Sequence, residues 1–258
     1  MLEKKLIKIY KLSSNFFYKK KQNQNQKSKH WERYNSKEIT SYNLKNFRKY
    51  RGLSHGLDDQ NKRFPFIVYS EVIKKVPEKF VLKNLSEKNI GNSKDLIFFK
   101  NKYLDFNKLI HIYWFWIIKN KIFKKNNIFS ICEIGGGFGS IAELFLKNYK
   151  TKLLLIDLPE ANLMSAYYLK KLFPKKKFYL FDNYKKKKYL TLSDFNKYDV
   201  LILPPNCNID KKIKIDFFIN ARSMMEMNYD VIRSYFNFIH EYLNIGGFFL
   251  NINRYEKS

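Results

Sequence analysis

The sequence predicts an α/β protein, a mostly parallel, doubly wound, Rossmann-like sheet in the second half of the chain, preceded by a helical amino-terminal cap. From about residue 127 onward, short apolar runs alternate with amphipathic segments, the pattern of βαβ units. One run feeds the glycine-rich turn Glu133-Ile134-Gly135-Gly136-Gly137-Phe138-Gly139, and the next ends on Asp157. Before residue 127 the apolar spacing is helical instead.

The elements follow in chain order. Residues 1–30 form a basic segment with a low-complexity stretch, KKKQNQNQKSKH, and a short helix around Leu6, Ile9 and Leu12. Residues 31–126 make the cap, with helical spacing from Ser70 to Leu85, punctuated by Pro77, and from Asp105 to Phe123. Residues 127–258 form the sheet domain. Ile128–Ile134 is its first strand, and Ser140 with Glu143 reads as a capping box opening the next helix. Leu153–Ile156 is the second strand, apolar throughout as a buried parallel strand should be. Pro159 opens a helix that Pro174 stops. Phe178–Phe181, Val200–Leu203 and Ile215–Asn220 read as strands, and the sequence leaves open which of the first two takes the third place. A helix from Tyr229 to Leu243, closed by Gly246-Gly247, precedes a last strand, Phe248–Ile252. The terminal β-hairpin that often completes such sheets is expected to be missing or shortened.

Composition sets bounds on function. With 45% hydrophobic and 18% aromatic residues the chain is globular despite a net charge of +27. That charge invites nucleic acid or a membrane surface as partner. Only seven of the 50 basic residues are Arg, however, and the planar guanidinium is the group suited to base edges and bidentate phosphate contacts, so nucleic acid is disfavoured. The runs Lys175–Lys177 and Lys185–Lys188 read most simply as solvated loops; the functional alternative is peripheral contact with an anionic membrane surface or a phosphorylated precursor. Cys132 and Cys207 form no C-x-x-C pair, which leaves a disulfide framework or zinc site unsupported. No signal-like run opens the chain, and Leu109–Ile118 falls short of the roughly 20 apolar residues a membrane span needs. A cytoplasmic location is expected.

A strand feeding a glycine turn that opens a helix binds nucleotides, because absent side chains let the backbone approach the ligand. The dinucleotide fingerprint fits imperfectly, since its last glycine position falls on Ser140, and no GK[ST] follows to make a P-loop. An acid followed by alternate glycines is the S-adenosyl-L-methionine pattern, and Glu133, Gly135, Gly137 and Gly139 match it. Asp157, at the end of the second strand, stands where a carboxylate accepts both ribose hydroxyls. The cofactor set is therefore Glu133, Gly135, Gly136, Gly137, Gly139, Asp157 and Leu158, with Asn206, Asn220 and Ser223 from the later strand ends. The expected enzyme is an S-adenosylmethionine-dependent methyltransferase of class I with no metal.

The segments EIGGGFGSIAELFL, LLIDLPEANLMSAYYLKKLFP, ILPPN and DFFINARSMMEMNYDVIRSYFNFI, in that order over about 131–254, resemble the sugar O-methyltransferases of bacterial surface-polysaccharide gene clusters. The resemblance implies methylation of a sugar hydroxyl on a glycan or its lipid- or nucleotide-linked precursor. A sugar hydroxyl is a weak nucleophile, so a general base is sought within reach. Glu226, past a strand's carboxyl end, is the first candidate, and Arg222 and Asn228 share its loop. His55, in a glycine-bearing polar stretch, is the second; Asp58 and Asp59 nearby are the weak candidates for a cation. His111 and His240 read as structural.

Two rivals stand beside this reading. An RNA or other nucleic-acid methyltransferase would need a tetrad such as N-P-P-Y or D-P-P-Y, and Leu203-Pro204-Pro205-Asn206 has neither the leading polar residue nor the closing Tyr. A non-catalytic scaffold on the same fold would have lost cofactor affinity.

Overall fold

The computed structural model describes residues 1–19, 40–49 and 64–253. His55, Asp58 and Asp59 therefore lie outside the described residues.

The chain opens on α1 (Leu2–Tyr18), longer than the short helix its sequence suggested. Leu6, Ile9, Ser13 and Phe17 recur every three or four residues and are buried, while Lys4, Lys8 and Lys11 line the exposed face. The cap comprises α2 (Ser41–Lys45), α3 (Phe64–Ile73), α4 (Glu78–Asn84), a small antiparallel pair β1 (Ile97–Phe99) and β2 (Lys102–Leu104), and α5 (Phe106–Ile118). Asp105 caps α5 by accepting from the Lys108 N–H at 3.2 Å, and a π-helical turn, Lys119–Phe123, prolongs it. Among the described residues no helix is long and apolar enough to cross a membrane.

The second half forms β3 (Ser130–Ile134), α6 (Ser140–Asn148), β4 (Lys152–Ile156), α7 (Pro159–Leu172), β5 (Phe178–Tyr179), α8 (Phe181–Lys187), α9 (Leu192–Lys197), β6 (Val200–Leu203), β7 (Ile215–Ala221), a 3₁₀ turn (Met224–Glu226), α10 (Tyr229–Tyr242) and β8 (Leu243–Ile252). The six strands lie in the order β5-β6-β4-β3-β7-β8, and every pairing is parallel. Strand order thus reverses at β3, the topological switch point of a doubly wound, Rossmann-like sheet. The third place falls to β6, which pairs with β4, while the two residues of β5 form only an outer edge. Val200–Leu203 is buried over all four positions; after Phe178-Tyr179 the chain turns directly into α8. The last strand begins at Leu243, earlier than its sequence suggested, so Gly246-Gly247 lies within it, beside a register irregularity opposite Ile215 and Phe217.

The capping box expected at Ser140 and Glu143 does not form. Gly139 occupies the N-cap with no side-chain cap bond, and both predicted partners are engaged elsewhere. The Ser140 hydroxyl meets His111 Nδ1 at 2.9 Å, and the Glu143 carboxylate lies between Lys108 at 2.6 Å and Lys147 at 2.5 Å. Tyr168 donates to the same carboxylate at 2.5 Å, and Lys108 Nζ also donates to the Ser140 carbonyl at 2.8 Å. Lys108 belongs to the cap and is 2% exposed, so it ties α5 to α6 through a buried cation bonded to Ser140 and Glu143.

Candidate functional site

The carboxyl ends of β3, β4, β6 and β7 share one edge of the sheet, and the glycine turn lies over it. The predicted cofactor residues can be placed there one by one, whereas His55 lies outside the described residues. Gly137 adopts φ +56°, and a Cβ built on it meets nothing within 4 Å, so this turn presents a bare backbone to open space. Its N–H donates to Asp157 Oδ2 at 2.8 Å, while the Leu158 N–H donates to Oδ1 at 2.7 Å. Gly135, at φ +71°, serves packing instead: a Cβ there would stand 1.9 Å from the Ser223 hydroxyl. Gly136 lies against the Glu133 carboxyl group and Gly139 against Leu169.

Glu133, the penultimate residue of β3, is 2% exposed. Its pKa is raised from 4.5 to about 8, chiefly by burial and then by the Asp157 charge, against the Ala142 N–H and Lys108, which lower it. The Ala142 N–H belongs to the first turn of α6, so this carboxylate occupies the positive end of that helix. Among the described residues Oε2 has no hydrogen-bond partner. Asp157 is raised to about 7, first by burial and then by Glu160 and Glu226, against the two backbone N–H groups that favour its charged form. Glu226, at the end of the 3₁₀ turn, is thus close enough for its charge to oppose that of Asp157. Asn206 lies beyond β6 with φ +63°, exposed after the buried Pro204-Pro205.

Asn220 and Ser223, expected at the cofactor, are both engaged within the chain. Asn220 is fully buried; its Nδ2 donates to the Ile134 carbonyl at 2.8 Å and to Ser223 Oγ at 2.5 Å, and its Oδ1 accepts from the Met224 N–H and Asn253. Every polar capacity of that amide is used inside the chain, so Asn220 clamps the β7 loop under the glycine turn. Ser223 adds a bond to the Ile134 carbonyl at 3.2 Å.

The fold also brings in residues whose sequence context gave no sign of it. His111, from α5, reaches the first turn of α6; burial, with the charges of Lys108 and Arg222, lowers its pKa to about 3, so the ring is neutral at physiological pH. Phe138, within the turn, packs edge-on against Tyr168 at 5.0 Å and lies under the Arg48 guanidinium, also at 5.0 Å. Arg48 in turn pairs with Asp105. Phe138 lies in the glycine turn already singled out, but around His111 and Arg48 only helical spacing and a basic composition were legible, neither of which marks a site. Among the described residues no cluster of His, Cys, Asp and Glu could hold a metal ion.

No protein-family model and no curated protein sequence matches the chain. Solved structures with a partial likeness include the glycopeptide N-methyltransferase MtfA, at 13% identity over 53% of this chain and 51% of that one, with a TM-score of 0.35. Coclaurine N-methyltransferase follows at 10% identity, 77% and 52% coverage and a TM-score of 0.35. Mitomycin 7-O-methyltransferase MmcR gives 11%, 76% and 51%, with a TM-score of 0.33. The chain spans about half the length of these proteins. At such scores the fold assignment rests on the strand order and the parallel pairings, not on the likenesses.

Proposed function

We propose that the chain binds S-adenosyl-L-methionine across the β3 and β4 ends and transfers its methyl group to a hydroxyl of a sugar in a glycan precursor. The observation that carries the cofactor assignment is the pairing of two carboxylates, Glu133 and Asp157, around a turn whose central residue, Gly137, faces open space. A dinucleotide would set its pyrophosphate on the positive end of α6, and Glu133 already occupies that position with a carboxylate. A cationic ligand works with the electrostatics, because a sulfonium and an ammonium group favour the ionised form of two acids whose pKa values burial raises. Glu133 Oε2, without a partner among the described residues, can accept from the ammonium group, and Asp157 accepts the ribose diol.

The bound cofactor supplies an electrophilic methyl group on sulfur. What the chain contributes is placement: the glycine turn excludes side chains from the adenosyl side, and the β7 loop, held by Asn220 and Ser223, fixes the acceptor side. Glu226 is proposed as the base that takes the hydroxyl proton, and His55 as the second candidate. The sugar acceptor comes from the sequence resemblance over 131–254. Cytoplasmic location and peripheral contact with an anionic membrane through the Lys175–Lys177 and Lys185–Lys188 loops belong to the same reading.

Calorimetric titration with S-adenosylhomocysteine tests the cofactor half. Wild type is expected to bind and Asp157→Ala to bind at least about tenfold more weakly, as loss of a charged hydrogen-bond acceptor implies. Equal binding by both removes Asp157 from the site, and no binding by wild type supports a scaffold. Labelled methyl transfer into glycan precursors rather than RNA tests the acceptor half.

A further inference from the structure

In the turn Gly135-Gly136-Gly137-Phe138-Gly139 a single residue carries a side chain. Glycine loses more backbone freedom on ordering than any other residue, so the shape of this turn depends on what anchors it. Its backbone is tied by the Gly135 N–H to the Ile156 carbonyl at 2.9 Å and by the Gly137 N–H to Asp157 at 2.8 Å. Phe138 is the one side-chain handle the turn offers, and three groups grip it. Tyr168 of α7 meets the ring edge-on at 5.0 Å and is itself fixed by donating to Glu143. Phe47 lies at 5.7 Å, tilted by 56°. The Arg48 guanidinium stands over the ring at 5.0 Å.

Phe47 and Arg48 follow directly on α2 and belong to the cap rather than to the sheet domain. Phe47 is fully buried, and the Arg48 N–H donates to the Gly91 carbonyl at 2.9 Å. Gly91, at φ +91°, permits that approach: a Cβ there would stand 2.6 Å from the Phe47 ring and 2.8 Å from Arg48 Cγ. The guanidinium pairs with Asp105, the N-cap of α5, and the two side chains are only 10% and 12% exposed. A cation held away from water binds an aromatic face more strongly than an exposed one does.

We propose that Arg48 is a positioning residue of the cofactor site: with Phe47 beside it, it holds Phe138, and through Phe138 the bare backbone of Gly137, in the shape that receives the adenosyl group. This rests on the reading of the glycine turn as the cofactor cradle. A turn held in its binding shape before the ligand arrives spares the ligand the entropy of ordering it. The pairing of Arg48 with Asp105 extends the same support to the start of α5, so the cap contributes to cofactor affinity.

The test is calorimetric titration of the full chain with S-adenosylhomocysteine. It compares wild type, Asp157→Ala, Phe138→Leu, the pair variant Arg48→Gln/Asp105→Asn, and the triple variant that combines the last two. Replacing both partners avoids leaving a buried charge alone, and Asn remains a good N-cap for α5. The pair variant is expected to bind about three- to tenfold more weakly while keeping one site per chain, and Phe138→Leu to lose at least as much. In the Phe138→Leu background the pair substitution should change affinity by less than about twofold, because the handle through which Arg48 acts is gone. A role in folding alone would instead lower the number of sites per chain at unchanged affinity, and that result overturns the inference. So does wild-type affinity in either variant, or a pair substitution that weakens binding equally in both backgrounds. If the pair variant does not fold, Arg48→Lys, which leaves a cation for Asp105 but no planar group to lie on the ring, takes its place in the cycle with the same expectations. No binding by wild type, or full binding by Asp157→Ala, is a failure of the parent reading, in which the variants at positions 48, 105 and 138 play no part.

Discussion

Replacing Glu133 by Gln should stabilise the protein at high pH and destabilise it at low pH, a reversal of sign that follows from the geometry. In the unfolded chain this carboxyl titrates at about 4.5, and in the folded protein at about 8. Between those values the folded state retains a proton that the unfolded chain has released, so the group's contribution to stability is full below about 4.5 and is lost as pH rises through about 8. At about 1.36 kcal/mol per pH unit the complete loss is about 5 kcal/mol, an upper bound for so buried a group. Gln escapes that loss. Its oxygen can still accept the Ala142 N–H, but its amide sets N–H groups where Oε2 has no partner, which costs about 1–3 kcal/mol at every pH. The net expectation is a variant more stable than wild type by about 2 kcal/mol near pH 9 and less stable by about 1–3 kcal/mol near pH 5. Urea unfolding of both proteins at the two pH values measures the difference, and comparing the two cancels the contribution of the other ionisable groups. Equal destabilisation at both pH values would refute the electrostatic account of the Glu133 and Asp157 pair. The same variant should also bind S-adenosylmethionine less well relative to S-adenosylhomocysteine, because only the former carries the sulfonium charge.

Two further predictions concern the turn and its support. Gly137→Ala should lower stability by only about 1–2 kcal/mol, the cost of a left-handed alanine, while abolishing detectable S-adenosylhomocysteine binding, because its methyl projects into the open side of the turn. Gly135→Ala should instead lower the thermal midpoint markedly, since its Cβ cannot coexist with the Ser223 side chain 1.9 Å away; thermal melts of the two variants side by side separate a ligand-facing glycine from a packing one. Lys108→Ala should cost about 3–5 kcal/mol in urea unfolding, by removing the cation buried against Glu143, and a loss under 1 kcal/mol would mean that Lys147 alone satisfies that carboxylate.

What was legible in the sequence is what depends on neighbours along the chain. A run of apolar residues ending on Glu133, a turn that needs positive φ, and a proline at the first position of α7 are local facts, and β3, the turn and α7 fall where they indicate. Side chains whose partners lie far along the chain were misread. Ser140 and Glu143 have capping-box spacing, yet His111 and Lys108, some thirty residues earlier, engage them with bonds that local geometry could not offer. Asn220 was correctly placed at a strand end but not its direction, because the demand of the Ile134 carbonyl for a donor arises only once β7 lies beside β3. The amino-terminal helix was legible only as a short one: its lysines dominate the composition, while the buried stripe through Leu6, Ile9, Ser13 and Phe17 acquires meaning only against α2, α7 and α8.

The attachment of the cap and the charge at the glycine turn depend on one side chain. Lys108 holds α5 to α6 through Glu143 and the Ser140 carbonyl, and its charge also favours ionisation of Glu133 and disfavours protonation of His111. With the cap seated, a buried cation therefore stands behind the acid that faces the turn. Were α5 to move away, Glu133 would lose the Lys108 charge that lowers its pKa and would bind its proton more tightly. Seating of the cap and ionisation of the turn are thus thermodynamically linked, and each favours the other. A cationic cofactor that prefers the ionised turn must by the same linkage favour the seated cap, which gives the buried Lys108 a role that packing alone would not require.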